Sequence, residues 1–167
     1  MKEEQVILVD QYDIPIGTMG KLEAHQKGLL HRAFSVFIFN HKNEMLLQKR
    51  ALTKYHSAGL WTNTCCSHPH PNEDTLVAAN RRLKEEMGMT TTLIHKTSFI
   101  YETAFENNLT EHEFDHVFFG YTDKDPIINK EEVDGFKWIS LDHLKEEIKT
   151  SPNNFTSWFK IAMQKIF

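Results

Sequence analysis

Between Glu73 and Met87 the apolar residues Leu76, Ala79, Leu83 and Met87 recur every three or four positions, which is the period of an amphipathic helix and not of a strand. Asn72 and Asp74 are candidate N-caps and Gly88 is a C-terminal stop. A helix apolar along one side must bury that side, and the flanking segments supply the partner. Val6 to Val9 is a short β-run, and Ala33 to Phe39 is rich in Phe, Val and Ile. The turn-like Asn40-His41-Lys42-Asn43 then leads into a second apolar run, Met45 to Leu47, which predicts a hairpin. Further strands are expected over Leu93 to Ala104, Glu113 to Thr122 and Val133 to Ile139, and further helices over Leu141 to Ile148 and Phe155 to Ile166. Strand and helix alternate without repeat, low-complexity tract or linker. The expected class is therefore α/β (α+β), with one mixed sheet packed between helices.

A chain of 167 residues matches one domain, here residues 1–167, with a core large enough to fold without disulfides. No stretch approaches the roughly 20 apolar residues needed to cross a bilayer. The first residues, MKEEQVILVD, carry acidic charge and only a four-residue apolar run, so they lack the pattern of a secretory signal. A cytoplasmic protein is expected, in which the adjacent Cys65 and Cys66 stay reduced. With 19 Lys plus Arg against 23 Asp plus Glu, the formal charge is −4, and no long basic block suggests a nucleic-acid partner. A small anionic substrate would instead need local convergence of cations such as Lys21, Lys49, Arg50, Lys54, Arg81 and Arg82.

The segment Trp61 to Pro69, WTNTCCSHP, places the Cys66 thiol two residues from the His68 imidazole, and Glu111-x-Glu113 follows later. In a strand, side chains two apart project from one face, so both carboxylates could meet one metal. His25 and His31 are six apart, which does not match a helical metal pair, so they are expected to approach through a loop leading into the Ala33 strand. Scattered N and O donors of this kind suit Mn²⁺ or Mg²⁺, though imidazoles also accept Zn²⁺. A different reading is a zinc-binding interaction module using Cys65, Cys66, His68 and His70. Its spacing is poor, because structural zinc sites draw ligands from two separated pairs.

From Ser67 to Met89 the chain reads SHPHPNEDTLVAANRRLKEEMGM, which resembles the Nudix box G-x5-E-x7-R-E-U-x-E-E-x-G-U, with Glu73, Arg81, Leu83, Glu85, Glu86, Gly88 and Met89 in register. Ser67 stands in place of the first Gly, and Arg82 in place of the Glu after the box Arg. Nudix hydrolases hold water-activating metals with the carboxylates of that helix, so a cation at position 82 argues against diphosphate hydrolysis.

Those departures and the thiol narrow the resemblance to the type 1 isopentenyl diphosphate isomerases, a non-hydrolytic branch of the Nudix fold. The likeness runs through His25, His31, RALTKYHSAGLWTNTCCSHP, RRLKEEMG, Tyr101, Glu111-x-Glu113 and the terminal FTSWFKIAM. It implies an enzyme that interconverts isopentenyl and dimethylallyl diphosphate. Cys66 and Glu113 would be the acid–base pair, with Tyr101 assisting. His25, His31, His68, Glu111 and Glu113 would hold one divalent ion, Mn²⁺ or Zn²⁺. Mg²⁺ carried with the diphosphate is expected near Glu86 and the backbone carbonyl of Cys66. Lys21, Arg50, Lys54 and Arg82 would surround the diphosphate, and Trp61 and Trp158 would face the carbocation that protonation of an alkene creates.

Overall fold

The strand that organises the fold is β3 (His31–Phe39), buried along nearly its whole length in this computed structural model, which describes residues 3–167. Such continuous burial marks a strand covered on both faces. Antiparallel neighbours of β3 are β1 (Gln5–Val9), β4 (Glu44–Arg50) and the short β6 (Cys65–Ser67). A fourth neighbour, β8 (Leu109–Tyr121), runs parallel to it, so the sheet is mixed. Outward from these, β2 (Pro15–Gly20) pairs with β1, β7 (Ile94–Phe105) with β8, and both β5 (Trp61–Thr62) and β9 (Val133–Ser140) with β4.

Alternation along β3 divides the core between two faces. Phe34, Val36 and Ile38 pack with Ala78, Ala79, Leu83 and Met87 of α2 (Thr75–Met87). Phe37 and Phe39 pack on the other side with Leu144 of α3 (Leu141–Thr150) and Phe159 and Met163 of α4 (Ser157–Ile166). The expected sheet between helices is therefore present.

At the N-terminus of α2 the Asp74 side chain accepts from the Leu76 and Val77 backbone N–H groups at 3.0 and 3.2 Å, while Gly88 ends the helix in the left-handed region with φ 60°. Its buried side differs in one residue from the periodicity: Leu76 is 41% exposed, and Ala78 takes its place in the core. The β3–β4 hairpin also forms, but its ladder is a single pair, Phe39 with Met45. Beyond it the strands part, and Thr62 to Thr64 fill the split. Thr64 Oγ1 donates to the Leu46 carbonyl at 2.6 Å and accepts from the Ile38 N–H at 3.0 Å.

Several elements were not expected from the sequence, the short strands β5 and β6 among them. His25 lies on a helix, α1 (Lys21–Lys27), closed by Gly28 at φ 63°, rather than on a loop. Two turns are too short for periodicity to declare itself. The edge strand β2 begins with Pro15-Ile-Gly, which reads as a turn. No helix among the described residues is long and apolar enough to cross a membrane.

Candidate active site

Register brings the titratable side chains together. His31 on β3 lies directly opposite Glu113 on β8, and Tyr101 on β7 flanks Glu113 from the other side. His68 follows β6, and His25 stands one turn into α1, on the same helix face as Lys21. The result is a buried group in which ligand atoms of His25, His31, His68 and Glu113 all lie within 4.8 Å of one another.

This group fits a cation. His31 Nδ1 sits 2.8 Å from the Leu29 carbonyl oxygen, which can only accept, so that nitrogen carries the hydrogen. In the neutral ring Nε2 then presents a lone pair to Glu113 Oε2 at 3.0 Å. His68 Nε2 meets the same oxygen at 2.6 Å, and buried His25 Nε2 has no hydrogen-bond partner. Converging lone pairs of this kind are relieved by a proton or a metal ion.

Burial alone would raise the Glu113 carboxyl, but His68 and His31, when they carry the extra proton, outweigh it and hold the group well below its ordinary range. Glu111, two residues along the same strand face, is pushed up by burial and by the Glu113 charge. Tyr101 joins the pair: its hydroxyl reaches Glu111 Oε1, and it lies 2.6 Å from Glu113 Oε1. One phenolic proton cannot serve two carboxylates, so a protonated Glu111 donating to Tyr101, which donates to Glu113, satisfies every atom. Glu111 was expected among the metal ligands. It lines the same cleft beside the group of converging ligand atoms and contacts the Tyr101 hydroxyl. Burial and the His68 ring push His25 down to about 3, which keeps its ring neutral and available to a cation.

Adjacent residues Cys65 and Cys66 face opposite sides of β6, as strand alternation requires. Cys65 is fully buried in the core beneath α2. Cys66 lines the cleft together with His68, Glu111 and Glu113, and its Sγ lies 3.0 Å from Asn63 Oδ1. Burial and the Asp115 carboxylate push its thiol up. This geometry rules out the interaction-module reading: the two sulfurs cannot converge, and His70 is exposed.

Lys21, Arg50, Lys54 and Arg82 line the same cleft, as does Trp158. Arg82 donates to Glu85 Oε2 at 2.7 Å and Glu86 Oε1 at 2.8 Å. Burial works against its charge, but Glu86 and Glu85 outweigh that and hold the guanidinium above its ordinary value. Glu86 is buried at the cleft wall and also receives Gln48 Nε2 at 3.2 Å. Trp61 does not line the cleft. Its neighbour Thr62 turns toward Cys66, with Oγ1 4.0 Å from Sγ, so alternation sends the indole the other way, under Lys137 Nζ at 4.6 Å from the ring centre.

Several residues in the cleft or buried beside it were not expected. Asp115 continues the period-two series Glu111, Glu113 and is buried, receiving Ser35 Oγ at 2.7 Å; that periodicity was the available signal. Tyr55 and His56 also line the cleft, from an irregular segment with no pattern to read. His56 stacks on Phe105 with ring centres 4.4 Å apart, and burial and the Arg50 charge push it down to about 2.

Comparison with known proteins bears on this arrangement. The NUDIX domain family matches residues 29–159. Isopentenyl-diphosphate Delta-isomerase 2 of Photorhabdus laumondii is 55% identical over 158 residues, covering 95% of this chain and 89% of the relative. The chain belongs to the isopentenyl-diphosphate Delta-isomerase family of Nudix proteins. The family member of Pectobacterium atrosepticum is 49% identical, covering 97% of this chain and 90% of its own. Among solved structures, a protein from Deinococcus radiodurans superposes with TM-score 0.80 over 98% of this chain and all of its own at 18% identity. A MutT protein from Methanosarcina mazei superposes with TM-score 0.66 over 81% of this chain and 91% of its own at 20% identity. These last two show the shared Nudix fold. Within it, this isomerase-family chain carries Arg82 on α2 and a thiol at the cleft.

Proposed function

We propose that this chain interconverts isopentenyl diphosphate and dimethylallyl diphosphate by adding a proton to the alkene on one side and removing one on the other. The observation that carries the reading is a single cleft holding a thiol, a carboxylate and four basic side chains, in a chain about half identical to relatives named as this isomerase.

Lys21, Arg50, Lys54 and Arg82 bind the diphosphate, the arginines as planar forks and the lysines as compact charges. His25, His31, His68 and Glu113 would hold a divalent ion, Mn²⁺ or Zn²⁺, whose charge steadies the Glu113 carboxylate. Glu86 and the backbone carbonyl of Cys66 would hold Mg²⁺ carried in with the diphosphate. An unactivated alkene has no carbonyl to spread charge, so its protonation passes through or near a tertiary carbocation. The Trp158 ring offers an aromatic face worth roughly 0.5–2 kcal/mol to such a cation without attacking it. Cys66 and Glu113 take opposite sides of the allylic unit, one giving a proton and the other accepting it, with Tyr101 passing protons to and from Glu113.

The test is incubation with isopentenyl diphosphate, Mg²⁺ and Mn²⁺, followed by product identification. Dimethylallyl diphosphate is the expected product. Release of inorganic phosphate or of a monophosphate would replace this reading with that of a Nudix hydrolase.

A further inference from the structure

Thr62, Asn63 and Thr64 form a fully buried polar segment where β3 and β4 part. Asn63 has two N–H donors and one acceptor oxygen. Both donors are spent on backbone carbonyls, those of Val36 and Cys65, each at 3.0 Å. Turning the amide over would set its oxygen against two carbonyl oxygens, so its orientation follows from its partners. Oδ1 is thereby committed to face Cys66 Sγ and Thr62 Oγ1, both at 3.0 Å. Because a carboxamide oxygen only accepts, the hydrogens in these two contacts belong to the thiol and to the hydroxyl.

The chain continues in one direction. Thr62 Oγ1 accepts from Thr156 Oγ1 at 3.1 Å, and Thr156 in turn caps α4 by accepting the Phe159 N–H at 3.3 Å. Thr62 therefore has its proton on Asn63, not on the sulfur. Among the described residues the acceptor that takes the thiol hydrogen is Asn63 Oδ1, and the Trp158 indole is the other polar group set against the sulfur.

We infer that Asn63 is the positioning residue for Cys66: its backbone-anchored carboxamide locks the thiol rotamer and so sets where the sulfur stands relative to a double bond in the cleft. The inference rests on Cys66 being a proton-transfer group, as proposed above. Asn63 itself is absent from the cleft lining, so it acts through the sulfur and not on the substrate. Misplacing a reacting group by about 1 Å costs about 100-fold in rate.

The experiment is a double-variant cycle of Asn63→Leu and Cys66→Ala, with kcat and KM for isopentenyl diphosphate and thermal unfolding recorded for each protein. Asn63→Leu should lower kcat about 100-fold with KM within about threefold of the parent, since the basic side chains are untouched. Added to Cys66→Ala it should cost nothing further, because the group it positions is already gone. A full additional loss in the double variant would show that Asn63 acts independently of the sulfur and would overturn the inference. A folded Asn63→Leu with parental kcat, or with only KM altered, would also overturn it. If Cys66→Ala itself keeps its kcat, the acid–base reading fails first, whatever Asn63 does.

Should Asn63→Leu not fold, proteins that keep Asn63 decide. The Asn63 side-chain ¹³Cγ resonance should move in Cys66→Ala and move less in Cys66→Ser, whose hydroxyl can donate the same bond. A resonance indifferent to Cys66→Ala would overturn the inference.

Discussion

Two neighbouring thiols meet opposite environments because successive strand residues face opposite sides. Cys65 is packed beneath α2 and Cys66 opens on the cleft. Cys66→Ala or Glu113→Gln should therefore lower kcat by about 10²–10⁴-fold, the range for removing a proton-transfer group, with the fold retained by circular dichroism. Cys65→Ala should change kcat by less than about tenfold, its cost appearing as stability lost from the core. A dead Cys65 variant beside an active Cys66 variant would invert the assignment. Arg82 is the other decisive residue, since it already sits among Glu85, Glu86 and Glu132. Arg82→Glu would add a fourth carboxylate to that group and remove a phosphate donor. Its KM for isopentenyl diphosphate should rise by at least about tenfold. Unchanged steady-state kinetics would mean that the guanidinium serves only its acidic neighbours.

Among the elements, α2 carries its stop signal in a position that tolerates little. Gly88 has φ 60°, and a Cβ there would stand 2.5 Å from the Ile127 carbonyl oxygen. Gly88→Ala should cost about 1–3 kcal/mol by urea unfolding, from strain in the left-handed region and the contact with Ile127. Asp74→Ala removes an acceptor for two backbone N–H groups and should cost about 1 kcal/mol. If Asp74→Ala proves the more damaging of the two, the helix terminus is not strained as described. This helix was legible because thirteen residues give periodicity and both end signals room to agree. With only seven residues, α1 had its Gly28 stop and little else.

Across the whole molecule, buried titratable groups pull stability in opposing directions with pH. His25 and His56 are pushed below the ordinary imidazole value, so the unfolded chain takes up their protons first and stability is lost as pH falls below about 6.5. Glu111 and Asp115 are raised by burial and the Glu113 charge, so the folded state protonates them first and they oppose that loss. A difference measurement isolates one contribution. Relative to the parent, metal-free His56→Phe should gain stability as pH falls from about 6.5 toward 4, by up to about 1.4 kcal/mol per pH unit. Parallel urea-unfolding profiles for the two proteins across that range would contradict a buried, neutral His56. Local pattern in the sequence by itself determined the mixed α/β class, the principal helix, the β3–β4 turn and, through the Nudix-type resemblance, the identities of most cleft residues. Those features depend on residues a few positions apart, where backbone periodicity alone dictates facing. Tertiary structure decided which of the candidates meet: it set His31 opposite Glu113, placed Glu111 against the Tyr101 hydroxyl and turned Trp61 out of the cleft. It also brought Asn63 against Cys66 and buried Asp115 nearby. Each of these depends on strand register or on where β3 and β4 separate, and register is settled by packing between distant segments, which no local pattern encodes.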